Sequence, residues 1–252
     1  MHVEQYGHGP RIYLAIHGWG GTHRDFLPIT HRIPPDITLF SVDLPGCGRS
    51  PPPDDWTPDY ITNCLCSLMA ANHATRYTLI GFCSGAAFAM HLARFDPDHV
   101  ERLIMIDPFD GIPWYFRLFL IPVIGRSCYR MAFGGETGRG MVNRILQRRQ
   151  GGKEDFTEAF VDLDTDTALR YLRLFNHFGD ADTYRELALP VDLVYGEKTF
   201  AAVRAAVERY RTLWPGSRVH EMPGANHLPL VVHAPRIAGI LFKDGRSYPT
   251  GQ

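Results

Sequence analysis

The sequence predicts an α/β domain with a mostly parallel central sheet, helices on both faces of the sheet and an inserted helical cap. Short apolar runs alternate with longer helical patterns, which is typical of parallel strands joined by crossover helices. The centres of these runs are almost entirely apolar, as expected of strands that are covered on both faces. A length of 252 residues suits one such domain.

Each predicted element follows from this pattern. The predicted strands are Arg11–Ile16, Ile37–Val42, Tyr77–Gly81, Leu103–Ile106, Val191–Tyr195 and Arg218–Met222. The predicted helices between them are Phe26–Arg32, Tyr60–Ala71, Ser84–Arg94, Ala201–Leu213 and Ala234–Phe242.

The alternation breaks once, between Pro108 and Pro190, where the pattern indicates only helices, such as Met141–Arg149 and Thr167–His177. We therefore expect residues 1–107 and 191–252 to form the core and residues 108–190 to form the cap. Such a cap covers the carboxyl ends of the strands, where open sheets place their ligand sites.

Composition narrows the possible partners and the cellular location. With 26 basic and 27 acidic residues the total charge is near zero, so we expect no overall field that attracts nucleic acid or an anionic membrane. The longest apolar run, Trp114–Ile124, is interrupted by Arg117 and Pro122 and is too short to span a membrane. The first residues include Gly and Pro and lack the pattern of an export signal. The five cysteines have no scaffold spacing, so we expect reduced thiols and a cytoplasmic protein.

One pair of cysteines is close in sequence. Cys64 and Cys66 lie in a helical pattern. The sequence has no second Cys or His pair to complete a zinc site with them, so it predicts no metal site there. No cofactor motif was found elsewhere, and we expect none.

A strand runs directly into a helix at a turn with the pattern G-x-C-x-G, centred on Cys83. Such a turn forces its middle residue into a strained conformation that pushes the side chain outward, and the flanking glycines avoid clashes with the strand and helix. Cys83 is therefore the predicted nucleophile. Centring the pattern on Ser84 instead would put Phe82 and Ala86 at the glycine positions. The remaining interpretation of Cys83 is a buried thiol that fills space.

A glycine-rich stretch, His17 to Gly21, follows the first strong strand. It allows the backbone N–H of Trp19 to point into the site, while the N–H of Ser84 stands at the positively polarised start of the next helix. These two donors form a predicted oxyanion hole. We expect His17 itself to hold the loop.

The loop Pro223-Gly-Ala-Asn-His227 follows the last predicted strand. His227 is the predicted general base because it combines a loop at the end of a strand with a late position in the chain. The other interpretation is a surface histidine.

These motifs resemble the α/β-hydrolase fold family. HGWGG follows an early strand, Asp43 to Ser50 has the pattern D-x-P-G-x-G-x-S, and the cysteine turn and the GANH loop follow in that order. The likeness covers most of the chain and implies an α/β-hydrolase fold. A cysteine–histidine pair at this turn is similar to that in dienelactone hydrolases, polyester synthases and some thioesterases that form acyl-cysteine intermediates.

The resemblance also implies an acid that orients the histidine, and here the sequence departs from the family. Most relatives carry it at the position of Thr199, which has no charge. Some relatives carry it after the preceding strand, and that position here is Asp107. Asp110 is the second candidate and Glu197 the third, while Asp107 could instead cap the chain's exit into the cap. A thiol ionises more easily than a hydroxyl, so the pair could also work without an acid.

Two features of the predicted cap bear on the substrate. Its first residues are rich in aromatic side chains that could cover a pocket or simply pack on the core. A basic cluster follows, which suits either the phosphate of a coenzyme A or carrier-protein thioester or an exposed helix face; its members are Arg139, Arg144, Arg148, Arg149 and Lys153.

The resulting hypothesis is a hydrolase that acts on an ester, lactone or thioester of a small-molecule acyl substrate through an acyl-cysteine intermediate. Two alternatives remain. An acyltransferase would use the same intermediate, and a catalytically silent member of the fold would only bind a ligand.

Overall fold

The computed structural model describes residues 1–151 and 153–243 and contains a seven-stranded sheet. The strands are β1 (Val3–Tyr6), β2 (Arg11–Ile16), β3 (Ile37–Val42), β4 (Tyr77–Phe82), β5 (Val100–Ile106), β6 (Val191–Gly196) and β7 (Arg218–Met222). They are ordered β1-β3-β2-β4-β5-β6-β7. Every neighbouring pair is parallel except β1 with β3. The predicted fold class is confirmed. Sequence analysis missed β1, a short edge strand.

Helices fill the connections between the strands. The α-helices are α1 (Leu27–Thr30), α2 (Pro58–Ala71), α3 (Gly85–Phe95), α4 (Gly125–Phe133), α5 (Glu136–Gln150), α6 (Thr165–Leu174), α7 (Ala201–Leu213), α8 (Pro229–Val232) and α9 (Ala234–Leu241). The predicted helix Phe26–Arg32 is shorter than expected: a 3-10 turn, His23–Phe26, leads into α1. The Thr22 hydroxyl caps that turn and Pro28 follows it, which fixes the start of α1.

The sheet is buried on both faces. Along β4, Leu79 packs in one hydrophobic cluster and Ile80 in the other. On β5, Leu103 packs in the first cluster and Ile104 in the second. Successive side chains of a strand point to opposite faces, so this division requires a covered layer on each side.

A buried ionic network joins the strands whose ends carry the site. Asp192 on β6 is fully buried and accepts hydrogen bonds from Arg102 on β5 and from Arg218 and His220 on β7. Burial opposes the charge of this carboxylate, but its hydrogen bonds and the Arg102 charge lower the pKa of Asp192. Arg102 also donates to the carbonyl oxygen of Leu241, which holds α9 against the sheet.

Between β5 and β6 the described residues form helices and turns, with no strand. A 3-10 segment, Trp114–Leu120, packs with α4 and α6 around a separate aromatic cluster that includes Phe119, Tyr129 and Phe133. The division into a core and a cap (108–190) stays a prediction. Position 152 of that cap and positions 244–252 of the predicted core lie outside the described residues. None of the described helices is long and apolar enough to cross a membrane.

Candidate active site

Cys83 occupies the turn between β4 and α3. Its backbone has φ of +55°, in the left-handed region that side chains other than glycine rarely adopt. The glycines on either side are needed sterically. A Cβ on Gly81 would lie 2.5 Å from Ala86 Cα, and one on Gly85 would lie 2.3 Å from the Ile16 carbonyl oxygen. The close packing of α3 against β2 therefore holds the strained turn and projects the thiol.

The glycine-rich loop after β2 lies directly against this thiol. A Cβ on Gly18 would be 3.4 Å from Cys83 Sγ. Trp19 and Ser84 line the same cavity as Cys83. Their backbone N–H groups have no acceptor among the atoms of residues 1–151 and 153–243. Two free donors beside a thiol are what an oxyanion hole requires.

Asp107 and His227 are in direct contact. Asp107 is fully buried immediately after β5, with φ of +47°. Its Oδ2 lies 2.8 Å from His227 Nδ1, while its Oδ1 accepts the N–H of Gly196 at 2.9 Å. A carboxylate on Nδ1 selects the tautomer that presents Nε2 to a nucleophile.

Thr199 joins the same contact from the loop after β6. Its hydroxyl donates to Asp107 Oδ2 at 2.7 Å, and its Oγ1 lies 3.3 Å from His227 Nδ1. Thr199, at the position expected for the acid, thus donates a hydrogen bond to Asp107, which follows the neighbouring strand.

The electrostatics of His227 favour its charged form. Burial opposes the imidazolium, but the Cys83 thiolate and hydrogen bonds with Asp107 and Cys83 outweigh burial and raise the pKa of His227 to about 10. Cys83 and Asp107 therefore both favour the charged form of the same imidazole.

The other acid candidates contact different groups. Asp110 pairs with Arg209 at 2.7 Å. Glu197 accepts the backbone N–H of Gly224 at 2.6 Å, so its carboxylate is turned away from the imidazole. Neither has a hydrogen bond or ion pair with His227 in the part of the chain that the structure describes.

His17 lies beneath the glycine-rich loop. Its Nδ1 lies 2.8 Å from the Gly18 carbonyl oxygen, and its Nε2 accepts the backbone N–H of Leu44 at 2.9 Å. Burial lowers the pKa of His17 to about 4. A neutral ring that joins two loops matches the predicted supporting role.

Sequence analysis missed Gln150, the last residue of α5. Its Oε1 accepts the backbone N–H of His227 at 3.0 Å, and the residue is buried. Nearby, the Asn226 amide donates to Glu154 at 2.7 Å. Residues between β5 and β6 thus hold the histidine loop in place. In the sequence Gln150 is only a polar residue at the end of a helix, which is too common a pattern to indicate a functional role.

A cavity opens beside Cys83 between the sheet and the segment that joins β5 to β6. Most of its walls are apolar, which suits a hydrocarbon group. Asp110 and Asp180 are its acidic members. The larger apolar side chains around it are Met90, Phe109, Phe116, Leu172, Phe175 and Phe178.

One cluster away from this cavity has side chains of the type that bind metals. Ligand atoms of His2, Glu4 and His23 lie within 4.8 Å of one another. However, the Arg49 guanidinium lies 3.1 Å from Glu4 and 3.4 Å from His2 Nε2. That fixed positive charge stands where a metal cation would bind, so the cluster does not fit a metal centre.

With this geometry in place, comparisons identify the family. The sequence model of the alpha/beta hydrolase family matches residues 13–239. The chain belongs to the alpha/beta hydrolase family. It is 28% identical over 262 residues to a pimeloyl-(acyl-carrier protein) methyl ester esterase of Xanthomonas axonopodis pv. citri, covering 99% of this chain and 100% of that protein. The match to lipase LipV of Mycobacterium tuberculosis is 37% over 109 residues and spans only 41% of that lipase and 43% of this chain.

Solved structures show the same architecture for this alpha/beta hydrolase. An esterase from Thermogutta terrifontis superimposes with a TM-score of 0.77 at 19% identity, covering 95% of this chain and 90% of that one. An enol-lactonase from Burkholderia xenovorans LB400 gives 0.76 at 16% identity, covering 95% and 94%. At these identities the likeness shows the fold.

Proposed function

We propose that this alpha/beta hydrolase cleaves a carboxylic ester, lactone or thioester through an acyl-cysteine intermediate. The proposal rests on the strained Cys83 turn that lines an apolar cavity and on the hydrogen bond between Asp107 and His227, whose imidazole is electrostatically coupled to Cys83. The relatives named as esterases support an ester as the scissile group.

In the first half of the reaction, Cys83 Sγ attacks the carbonyl carbon and the carbonyl π electrons move to oxygen. The N–H groups of Trp19 and Ser84 stabilise this oxyanion. When the tetrahedral intermediate collapses, the bond to the leaving group breaks, and the departing alkoxide or thiolate takes a proton from Nε2 of the imidazolium of His227. An acyl-cysteine thioester remains.

In the second half, Nε2 of His227 removes a proton from water as the water oxygen attacks the thioester carbonyl. Collapse of the second intermediate releases the carboxylic acid and returns the thiolate to Cys83, beside a protonated histidine. Asp107 stabilises the imidazolium throughout and holds its ring orientation.

The walls of the cavity indicate an apolar acyl group. The predicted coenzyme A or carrier-protein leaving group stays a prediction. That prediction is based on the basic cluster, of which Arg144, Arg148 and Arg149 are exposed on α5. No residue of the cluster lines the cavity.

Intact-mass spectrometry with a panel of p-nitrophenyl esters, lactones and acyl thioesters tests the proposal. We expect a transient adduct of one acyl group in the wild type. It should form more slowly in His227→Asn, because acylation needs the imidazolium, and be absent in Cys83→Ala. Ser84→Ala is the matched control, since only its backbone N–H is used. An adduct that persists in Cys83→Ala, or its absence with every substrate, would overturn the acyl-cysteine. Product analysis with an added alcohol separates hydrolysis from acyl transfer.

A further inference from the structure

The stretch of residues 111–153 is strongly basic, although residues 108–190 as a whole have equal numbers of acidic and basic residues and the chain is near neutral. Residues 111–153 contain eight Lys or Arg and one acid, Glu136, which gives a formal charge of +7 in a chain whose total is −1. The remaining residues therefore carry −8. Arg144, Arg148 and Arg149 have no ion-pair partner among the described residues. This unpaired charge is concentrated on one part of the molecule.

The same stretch exposes large apolar side chains. Trp114 is 81% exposed, Val123 96%, Met131 78% and Met141 60%. Ile121 to Ile124 form a turn in which every side chain is exposed and apolar. Val123 also has φ of +72°, which is rare for a β-branched residue, although its side chain is almost fully exposed among the described residues.

Apolar and cationic side chains share one helical stripe. Met141, Arg144, Ile145 and Arg148 stand at i, i+3, i+4 and i+7 of α5, and all four are exposed. The 3-10 segment and α5 both pack on α4. These packed segments and the turn between the 3-10 segment and α4 carry the exposed residues that we call the basic apolar face: Trp114, Val123, Met131, Met141, Arg144 and Arg148.

We propose that the basic apolar face docks the protein on the surface of an anionic phospholipid bilayer. The arginines contact lipid phosphates, while Trp114 and Val123 enter the boundary between headgroups and acyl chains. Charge complementarity supports this partner, because each basic residue near an anionic bilayer adds to binding.

A bilayer fits the face better than a folded protein does. Protein interfaces concentrate apolar side chains at a centre with charges at the rim. Here arginine and apolar residues alternate along the same helix, and the most exposed apolar group is a protruding turn. Long arginine side chains reach phosphates while their apolar neighbours insert between lipids. None of the six residues lines the cavity, so docking is independent of the proposed chemistry.

The experiment compares flotation of the intact protein with vesicles of phosphatidylglycerol and phosphatidylcholine against vesicles of phosphatidylcholine alone. We expect binding to the anionic vesicles only, falling with added salt. Trp114 is the most exposed of four tryptophans, so its emission should shift to the blue on binding, and Trp114→Phe should remove the shift. Arg144→Gln with Arg148→Gln should weaken partitioning by about 10-fold or more.

Two controls keep the result specific. Arg32→Gln with Arg94→Gln removes the same charge from exposed sites outside residues 111–153 and should leave vesicle binding unchanged. Hydrolysis of a water-soluble ester by each variant reports on folding. Equal binding to both vesicle types, or equal loss in both double variants, would overturn the proposal. So would binding to an acidic acyl-carrier protein, but not to vesicles, that depends on the same arginines.

Discussion

Thr199 donates its hydroxyl hydrogen to Asp107 Oδ2 at 2.7 Å, on the same oxygen that receives His227 Nδ1 at 2.8 Å. Two loops that follow neighbouring strands therefore meet on one carboxylate oxygen. The second oxygen is held by the Gly196 N–H. With both oxygens bound, Asp107 has a single orientation, and Thr199 acts as a positioning residue for the imidazole.

Thr199→Val should lower kcat/KM by about 10- to 100-fold, since a hydrogen bond to a charged acceptor is worth about 1.5–3 kcal/mol. Thr199→Ser keeps the hydroxyl and should retain most of the activity. Steady-state kinetics across pH would measure both. A purely structural role predicts lower thermal stability with an unchanged pH profile, whereas the positioning role predicts a shifted profile.

Asp107→Ala should lower kcat/KM by up to about 10⁴-fold, as loss of the acid does in serine triads. Thr199 lies close enough to His227 for an acid there to replace it. Adding Thr199→Asp to Asp107→Ala should therefore restore part of the activity. The same background with Thr199→Asn is the neutral control. If both double variants are equally inactive, the carboxylate charge is not what the imidazole needs.

His227 should control the reactivity of the cysteine toward iodoacetamide at neutral pH. With a pKa raised to about 10, the imidazolium is charged throughout pH 6–9, and its stabilisation of a thiolate is lost only as pH rises through about 10. Alkylation of Cys83 should be slower in His227→Asn than in the wild type across pH 6–9, where only the wild type holds a cation beside the sulfur. Equal rates for the two proteins would contradict the ion pair.

Gly85→Ala should destabilise the fold, because its Cβ would lie 2.3 Å from the Ile16 carbonyl oxygen and force α3 from β2. Overpacking of this kind lowers the free energy of unfolding by about 1–3 kcal/mol or more. Gly239→Ala, in α9, meets no atom within 4 Å and should leave stability unchanged or raise it by about 1 kcal/mol. Urea denaturation of both variants measures the difference.

Ala87→Leu should shorten the acyl chain that the enzyme prefers. Ala87 lines the cavity on α3, one turn after the cysteine, so a larger side chain there removes volume near the reacting carbon. The ratio of kcat/KM for butanoate and octanoate esters should rise. Ala205→Leu, exposed on α7, is the control and should not change the ratio.

The sequence alone predicted a mostly parallel sheet of buried strands and the position of Cys83, because apolar runs and the G-x-C-x-G turn are local patterns. It missed β1, a four-residue strand whose pairing with β3 depends on a distant partner. The total charge is near zero because the +7 of residues 111–153 is balanced by negative charge elsewhere in the chain.

Only the tertiary structure decided which acid reaches the histidine. From the sequence, Asp107, Asp110 and Glu197 were all candidates near strand ends. The parallel pairing of β5 with β6 and the fold of the His227 loop bring Asp107 within 2.8 Å and turn the other two toward Arg209 and Gly224. Contacts between residues 120 positions apart depend on register and loop path, which no local pattern specifies.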